Sequence, residues 1–221
     1  MSRLKTAQEI FNQYANDYQN KYMDVSLYHD SFDLFCNNIT KEKADILEIA
    51  CGPGNITRYL LNKRPGFKIL GIDLALNMIE LARINNPTAE FQLMDCRDIA
   101  ILDKKYDGIM CGFCLPYLSK EESLKLIKDS AMLLKPNGVL YLSTMEDDYD
   151  KSGIQTNSGG DQVYMYFHQA DYLSAALEEN GFEIIELKRQ DFPSQGGIET
   201  TDLLIVASKV SSNQAQAEFS F

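Results

Sequence analysis

The chain has 221 residues, a length that suits one α/β domain with a small helical attachment. Hydrophobic residues make up 45% and charged residues 24%, a globular balance that excludes wholesale disorder. The formal charge of -11 at pH 7 repels phosphate backbones and anionic membrane surfaces, so no nucleic acid partner is expected.

The N-terminus MSRLKTAQEIFNQYANDYQ is polar and has no apolar signal core, and no apolar run approaches the roughly 18 residues of a membrane helix. The five cysteines, at 36, 51, 96, 111 and 114, are odd in number. These features predict a cytoplasmic protein with reduced thiols and no membrane partner.

Residues 1–43 read as one or two helices rich in Tyr and Phe. Leu4, Ala7, Ile10, Phe11, Tyr14, Ala15 and Tyr18 are spaced for one face, which predicts a helical cover. Short apolar runs then alternate with amphipathic stretches. ADILEIA (44–50), FKILGID (67–73), EFQLMD (90–95), YDGIMCGF (106–113) and GVLYLSTM (138–145) read as strands. ITRYLLNKR, ALNMIELARIN and EESLKLIKDSAMLLK read as helices between them, the last ending at Pro136 and Gly138. Such alternation predicts a parallel sheet covered on both faces. Residues 146–162 are polar and rich in Gly and Ser, which predicts a mobile loop. DYLSAALEENGF reads as a helix closed by Gly181, and FEIIELKRQ and DLLIVASK as an antiparallel strand pair. The expected organisation is a single domain over 1–210, with a cover at 1–43, a Rossmann-like core at 44–210 and a flexible tail at 211–221.

Chemistry concentrates where the first strand ends. Glu48-Ile49-Ala50-Cys51-Gly52-Pro53-Gly54 closes that strand and opens a helix. Ligands of open α/β sheets bind beyond the carboxyl ends of the strands. Small residues there let backbone approach a ligand, and the helix presents free N–H groups. Asp73 ends the second strand, at the spacing where a carboxylate can accept both hydroxyls of a ribose. A dinucleotide fingerprint needs a third Gly, but Thr57 stands in that register, and the charge of Glu48 would oppose a pyrophosphate. A cationic, phosphate-free adenosine ligand fits this acidic turn better.

ILEIACGPGNIT resembles the first motif of class I S-adenosylmethionine-dependent methyltransferases. GIDLALNMIELA, FQLMDCRDI, YDGIMCGFCLPYLS and LLKPNGVLYLST resemble the four motifs that follow it, so the resemblance spans roughly residues 44–145 in order. It implies S-adenosyl-L-methionine as cofactor, and a Rossmann-like fold with a mainly parallel seven-stranded sheet, an antiparallel C-terminal strand and an N-terminal helical cover. It also implies that Ala50, Gly52 and Gly54 flank the methionine part and Asp73 holds the ribose, with Glu48 beside them among the cofactor-binding residues. Leu74 and Met78 would pack near the adenine, Asp95 and Cys96 would read it, and Cys111 with Gly112 would line the pocket by the sulfonium. Ala50 departs from the family glycine, a mild change where its φ is negative.

Methyl transfer needs alignment and water exclusion, and a base only for an acceptor with a firmly held proton. No catalytic residue stands out. The fourth-strand segment lacks the Asn/Asp-Pro-Pro-Tyr and Pro-Cys signatures of nucleobase enzymes, which favours an unidentified small-molecule acceptor. Tyr14, Tyr18, Tyr22, Phe113 and Tyr117 are the candidates to face it, against the plainer reading of aromatic packing. Cys111-Gly112-Phe113-Cys114 has no second pair, so no metal site is expected. His168 reads as a structural residue at a helix start. The alternatives are a protein or RNA methyltransferase, a non-catalytic S-adenosylmethionine-binding module and, further off, a nicotinamide-dependent oxidoreductase.

Overall fold

The computed structural model describes residues 4–156, 160–192 and 200–211. The predicted tail therefore lies, beyond residue 211, outside the described residues. Strand β1 (Leu4–Lys5) leads into α1 (Ala7–Gln13), α2 (Ala15–Tyr22) and, after a 3₁₀ turn at Ser26–Tyr28, α3 (His29–Asn38). Then come β2 (Asp45–Ile49), α4 (Asn55–Lys63), β3 (Lys68–Asp73), α5 (Leu76–Asn85), β4 (Glu90–Leu93) and β5 (Tyr106–Cys111). The chain continues through α6 (Lys120–Leu133), β6 (Leu134–Glu146), β7 (Gly153–Thr156), β8 (Gln162–Met165), α7 (Ala170–Glu179), β9 (Phe182–Phe192) and β10 (Thr200–Lys209).

Seven strands form the main sheet in the order β4-β3-β2-β5-β6-β10-β9. The first five neighbours run parallel, and β10 is antiparallel to both β6 and β9. This is the expected Rossmann-like architecture, a mainly parallel seven-stranded sheet with an antiparallel C-terminal strand. Its strands are apolar on both faces because both are covered. Ile46, Met110, Tyr141 and Val206 pack with α3 and α4, whereas Leu47, Ile49, Ile109, Leu142 and Ile205 pack with α6 and α7.

Local chemistry sets the ends of α6. Ser119 and Glu122 form a capping box, with the Ser119 hydroxyl accepting from the Glu122 N–H and Glu122 accepting from the Ser119 N–H. Lys209 donates to the carbonyls of Ala131 and Leu134, and Lys105 to that of Met132. The helix stops before the predicted boundary at Pro136. Leu134 already pairs with Tyr106, and β6 then bulges before Val139 pairs with Gly108.

A second sheet differs from expectation. β1 pairs parallel with β8, and β8 antiparallel with β7. The segment 146–162 therefore includes a 3₁₀ turn at Tyr149–Lys151 and strand β7 rather than loop throughout, and Leu4 starts a strand rather than the helical stripe. His168 is buried, with Nε2 at 2.8 Å from the Leu115 carbonyl and Nδ1 against the Tyr172 hydroxyl, which pins the chain to the loop after β5. Burial holds its imidazole below the ordinary histidine range. Among the described residues, no helix is long and apolar enough to cross a membrane.

Candidate cofactor and acceptor site

One cleft opens at the carboxyl ends of β2, β3, β4 and β5. Of the residues singled out in sequence, Ala50, Gly52, Asp73, Leu74, Met78, Asp95 and Cys96 line it, as do Tyr18, Phe113 and Tyr117. Glu48, Gly54 and Cys111 do not line it. Cys111 is fully buried, and the chain turns toward the cleft only at Gly112. Gln8, Phe11, Met94 and Arg97 line it as well and were not among the candidates. Phe11 belonged to the predicted stripe, which was the available signal.

The turn after β2 takes three left-handed residues: Ala50 (φ 55), Gly52 (φ 52) and Gly54 (φ 78). Two are glycines, which adopt this conformation freely. Ala50 does not share that freedom, and its positive φ fails the condition under which the replacement would be mild. It carries strain on the order of 1–2 kcal/mol, held in place by the turn. Asp73 stitches the turn to β3. One carboxylate oxygen accepts the Gly52 N–H at 2.9 Å and the other accepts the Ala75 N–H at 2.8 Å. Burial raises the Asp73 pKa above the ordinary carboxylate value despite these bonds. Each oxygen keeps a lone pair for a further donor.

Glu48 lies beneath the turn rather than in the cleft. It is 1% exposed, and the Thr57 hydroxyl donates to its Oε2. Thr57, in the register of the missing third glycine, is thus the prop of this carboxyl. Glu48 Oε1 has no partner among the described residues, and burial pushes the carboxyl up to about 8. The folded protein then holds a proton that an unfolded chain, with an ordinary value of 4.5, releases between these limits. Stability should fall as pH rises from 5 to 8, by on the order of 3 kcal/mol from this group. Urea unfolding across that range should show the slope in the wild type and lose this component in Glu48→Gln. An identical slope in both proteins would refute it.

At the end of β4, Asp95 caps a 3₁₀ turn by accepting from the Arg97 N–H, and its carboxylate pairs with the Arg97 guanidinium at 2.8 Å. Arg97 also reaches Glu122 at 3.2 Å, tying this corner to the capping box of α6. Burial alone would raise the Asp95 carboxyl, but the guanidinium outweighs it and holds it below its ordinary range. Cys96 lies beside it, with its sulfur 3.6 Å from that of Cys114, and all five cysteines are free thiols. Among the described residues, no group of three or more acidic, cysteine or histidine side chains is arranged to hold a metal.

The cover supplies aromatic walls. Phe11 packs edge-on against Tyr18 and Tyr117, with centroids 5.6 and 5.1 Å apart. Tyr22 leans on Tyr18 but does not line the cleft, and its carbonyl accepts from Asn55. Tyr14 also lies off the cleft, its hydroxyl donating to Asp161 at 2.6 Å. Phe113 closes the far side with φ 53, its N–H shared between the Ser143 carbonyl at 3.2 Å and hydroxyl at 3.0 Å. Its ring contacts Tyr28 at 5.2 Å, and the Tyr28 hydroxyl donates to Asp202 at 2.7 Å. Sequence reading missed that pair because its members are 174 residues apart.

The profile of a family described as a methyltransferase domain matches residues 19–187. The malonyl-[acyl-carrier protein] O-methyltransferase of Priestia megaterium is 28% identical over 207 residues, covering 83% of this chain and 74% of that protein. A protein of Invertebrate iridescent virus 6, itself named as a methyltransferase, is 28% identical over 130 residues, which are 58% of this chain and 45% of that protein. The chain thus spans less than half the length of this second relative. Among solved structures, the 1,6-didemethyltoxoflavin-N1-methyltransferase of Burkholderia thailandensis, with bound 1,6-didemethyltoxoflavin and S-adenosylhomocysteine, superposes with a TM-score of 0.68. It is 19% identical and covers 92% of this chain and 87% of its own.

Proposed function

The chain belongs to the methyltransferase-domain family, and from that premise we propose that it moves the methyl group of S-adenosylmethionine to a small-molecule acceptor. The observation that carries this reading is the single cleft that joins the left-handed turn at Ala50–Gly54, the Asp73 carboxylate and the Asp95 corner. The residues fit the donor. Among the described residues, the cleft lining has one cationic side chain, Arg97, and that charge is spent on Asp95 and Glu122. A phosphate would find no free cation there, whereas a cationic, phosphate-free nucleoside would meet acidic and apolar walls.

In this reading Asp73 accepts the ribose hydroxyls while holding the turn, and Ala50 and Gly52 admit the methionine portion. Leu74 and Met78 pack against the adenine, and Asp95 with the Cys96 backbone reads its edge. S-adenosylmethionine supplies an electrophilic methyl carbon on sulfonium. Phe11, Tyr18, Tyr117 and Phe113 exclude water and orient a flat acceptor. Calorimetry should show saturable binding of S-adenosylmethionine, and a metabolite panel should give turnover to S-adenosylhomocysteine. Absence of saturable binding would sink the donor assignment. Labelled methyl appearing only in the macromolecular fraction of a lysate would replace the small acceptor with a protein or RNA.

A further inference from the structure

We propose that Arg97 is a positioning residue that makes the donor site selective for adenine, by fixing the Asp95 carboxylate as the acceptor for the exocyclic amino group of the base. The inference rests on the methyltransferase reading above and adds how the site tells one purine from another.

Asp95 and Arg97 both line the cleft, where the 3₁₀ turn Cys96–Ile101 follows β4. This turn is held from outside by α6. Arg97 reaches Glu122 Oε1 at 3.2 Å. Glu122 is itself fixed, because its other oxygen accepts the Ser119 N–H at 2.8 Å in the capping box. Lys125, about one turn further along α6, donates to the Arg97 carbonyl at 2.8 Å. Both the backbone and the side chain of Arg97 are thus anchored to a helix that packs into the core.

The geometry exceeds that of a loose surface ion pair. Arg97 Nε lies 2.9 Å from Asp95 Oδ1 and 3.0 Å from Oδ2, and Nη2 lies 2.8 Å from Oδ2. Nη1 takes Glu122, so all three guanidinium nitrogens are engaged and the plane of the fork is set. The Arg97 N–H adds a bond to Asp95 Oδ1 at 2.9 Å. An ionised carboxylate offers about four acceptor positions. The backbone N–H, Nε–H and Nη2–H of Arg97 occupy three, which leaves one for a ligand. Burial would raise the Asp95 carboxyl, but the guanidinium outweighs it and keeps it an anion that only accepts.

One fixed acceptor position selects a base. Adenine carries an amino group at C6, which donates, and a bare N1, which accepts. Hypoxanthine carries an oxygen at C6 and a hydrogen on N1, the reverse pattern. Against a fixed anion that oxygen meets another lone pair, whereas the adenine amino group fills the last position. The Cys96 backbone, which faces N1 in this reading, repeats the choice. Without Arg97 the carboxylate is free to turn about its side-chain bonds and to accept from the hypoxanthine N1–H instead. Selectivity is then lost before affinity. A lysine would restore the charge but not the fork.

The test is calorimetry on the full chain with S-adenosylhomocysteine and S-inosylhomocysteine, which differ only at C6 and N1. Neither carries a sulfonium, so the charge removed with Arg97 acts on both alike and cancels in the ratio of their affinities. Wild type should prefer the adenine compound by about 30-fold or more, the scale of one charge-assisted hydrogen bond made or lost. Arg97→Gln should lower that ratio about tenfold, chiefly by admitting the inosine compound, and Arg97→Lys should recover only part of it. Asp95→Ala should abolish the preference. Arg97 is 45% exposed, so its variants should fold, and melting temperatures check this. The proposal is overturned if Arg97→Gln keeps the wild-type ratio or weakens both compounds equally, which is what a merely structural prop would do. It is also overturned if Arg97→Lys restores the ratio in full, or if wild type binds both compounds alike. Failure of wild type to bind S-adenosylhomocysteine at all would instead remove the donor assignment, and this proposal with it.

Discussion

Asp73→Ala should weaken S-adenosylmethionine binding by at least about 100-fold. Each of the two hydrogen bonds from a ribose to a charged acceptor accounts for roughly 1.5–3 kcal/mol, and about 1.4 kcal/mol is a tenfold change. A second loss adds to the first. The same carboxylate holds the Gly52 and Ala75 N–H groups, so the substitution also releases the turn that would cradle the donor. Asp73→Asn keeps one acceptor oxygen and should fall between wild type and alanine. Because burial raises this carboxyl, affinity should begin to fail on acidification at a pH above that of an exposed aspartate. Calorimetry with S-adenosylmethionine and S-adenosylhomocysteine decides the matter, and unchanged affinity in Asp73→Ala would remove the ribose assignment.

Gly54→Ala should cost about 2–5 kcal/mol of folding stability. The backbone there has φ 78, where an L side chain is strained by roughly 1–2 kcal/mol. The new methyl would also sit 2.3 Å from Asn86 Nδ2. That amide is buried and donates to the Gly54 carbonyl at 2.9 Å, so displacing it leaves polar groups unpaired at about 1–3 kcal/mol. In a chain of this size the melting temperature should drop by roughly 5–15 °C. A second substitution separates the two causes. Gly54→Ala combined with Asn86→Ala should regain the steric part but not the lost amide bonds. A melting temperature within a degree or two of wild type would show that the turn is not fixed as described.

The main sheet was legible because its strands are contiguous apolar runs bounded by Gly, Pro or Asp, and its helices carry a clear 3.6-residue stripe. The small sheet was not. Its strand β1 has two residues and pairs with Gln162 and Val163, far along the chain, and so short a strand has no periodicity to read. The cover shows a second limit. Spacing placed Tyr14 and Tyr18 on one face, but the chain breaks its helix at Tyr14 (φ -107, ψ 22), which ends α1 and begins α2. Across that break the i, i+4 rule no longer holds. Tyr18 reaches the cleft, Tyr14 turns to Asp161, and Phe11 takes the place next to Tyr117. Glu48 stands out in the sequence for its acidity beside the turn, but only the packing of Thr57 reveals that its carboxyl lies below the cleft. Asn86 and Asp202 carry no local pattern at all, since the carbonyl and the hydroxyl they bond are distant in sequence.

The position of β10 also bears on how the protein is made. β6 must wait for Thr200–Lys209 before it gains its second neighbour, because β10 sits between β6 and β9. During synthesis, the half that carries the turn, Asp73 and Asp95 can be complete while Val139–Thr144 still presents an open, apolar, β-prone edge. That edge is a template for pairing with another nascent chain. Versions ending before residue 200 should therefore accumulate as aggregates even though every lining residue of the cleft is present.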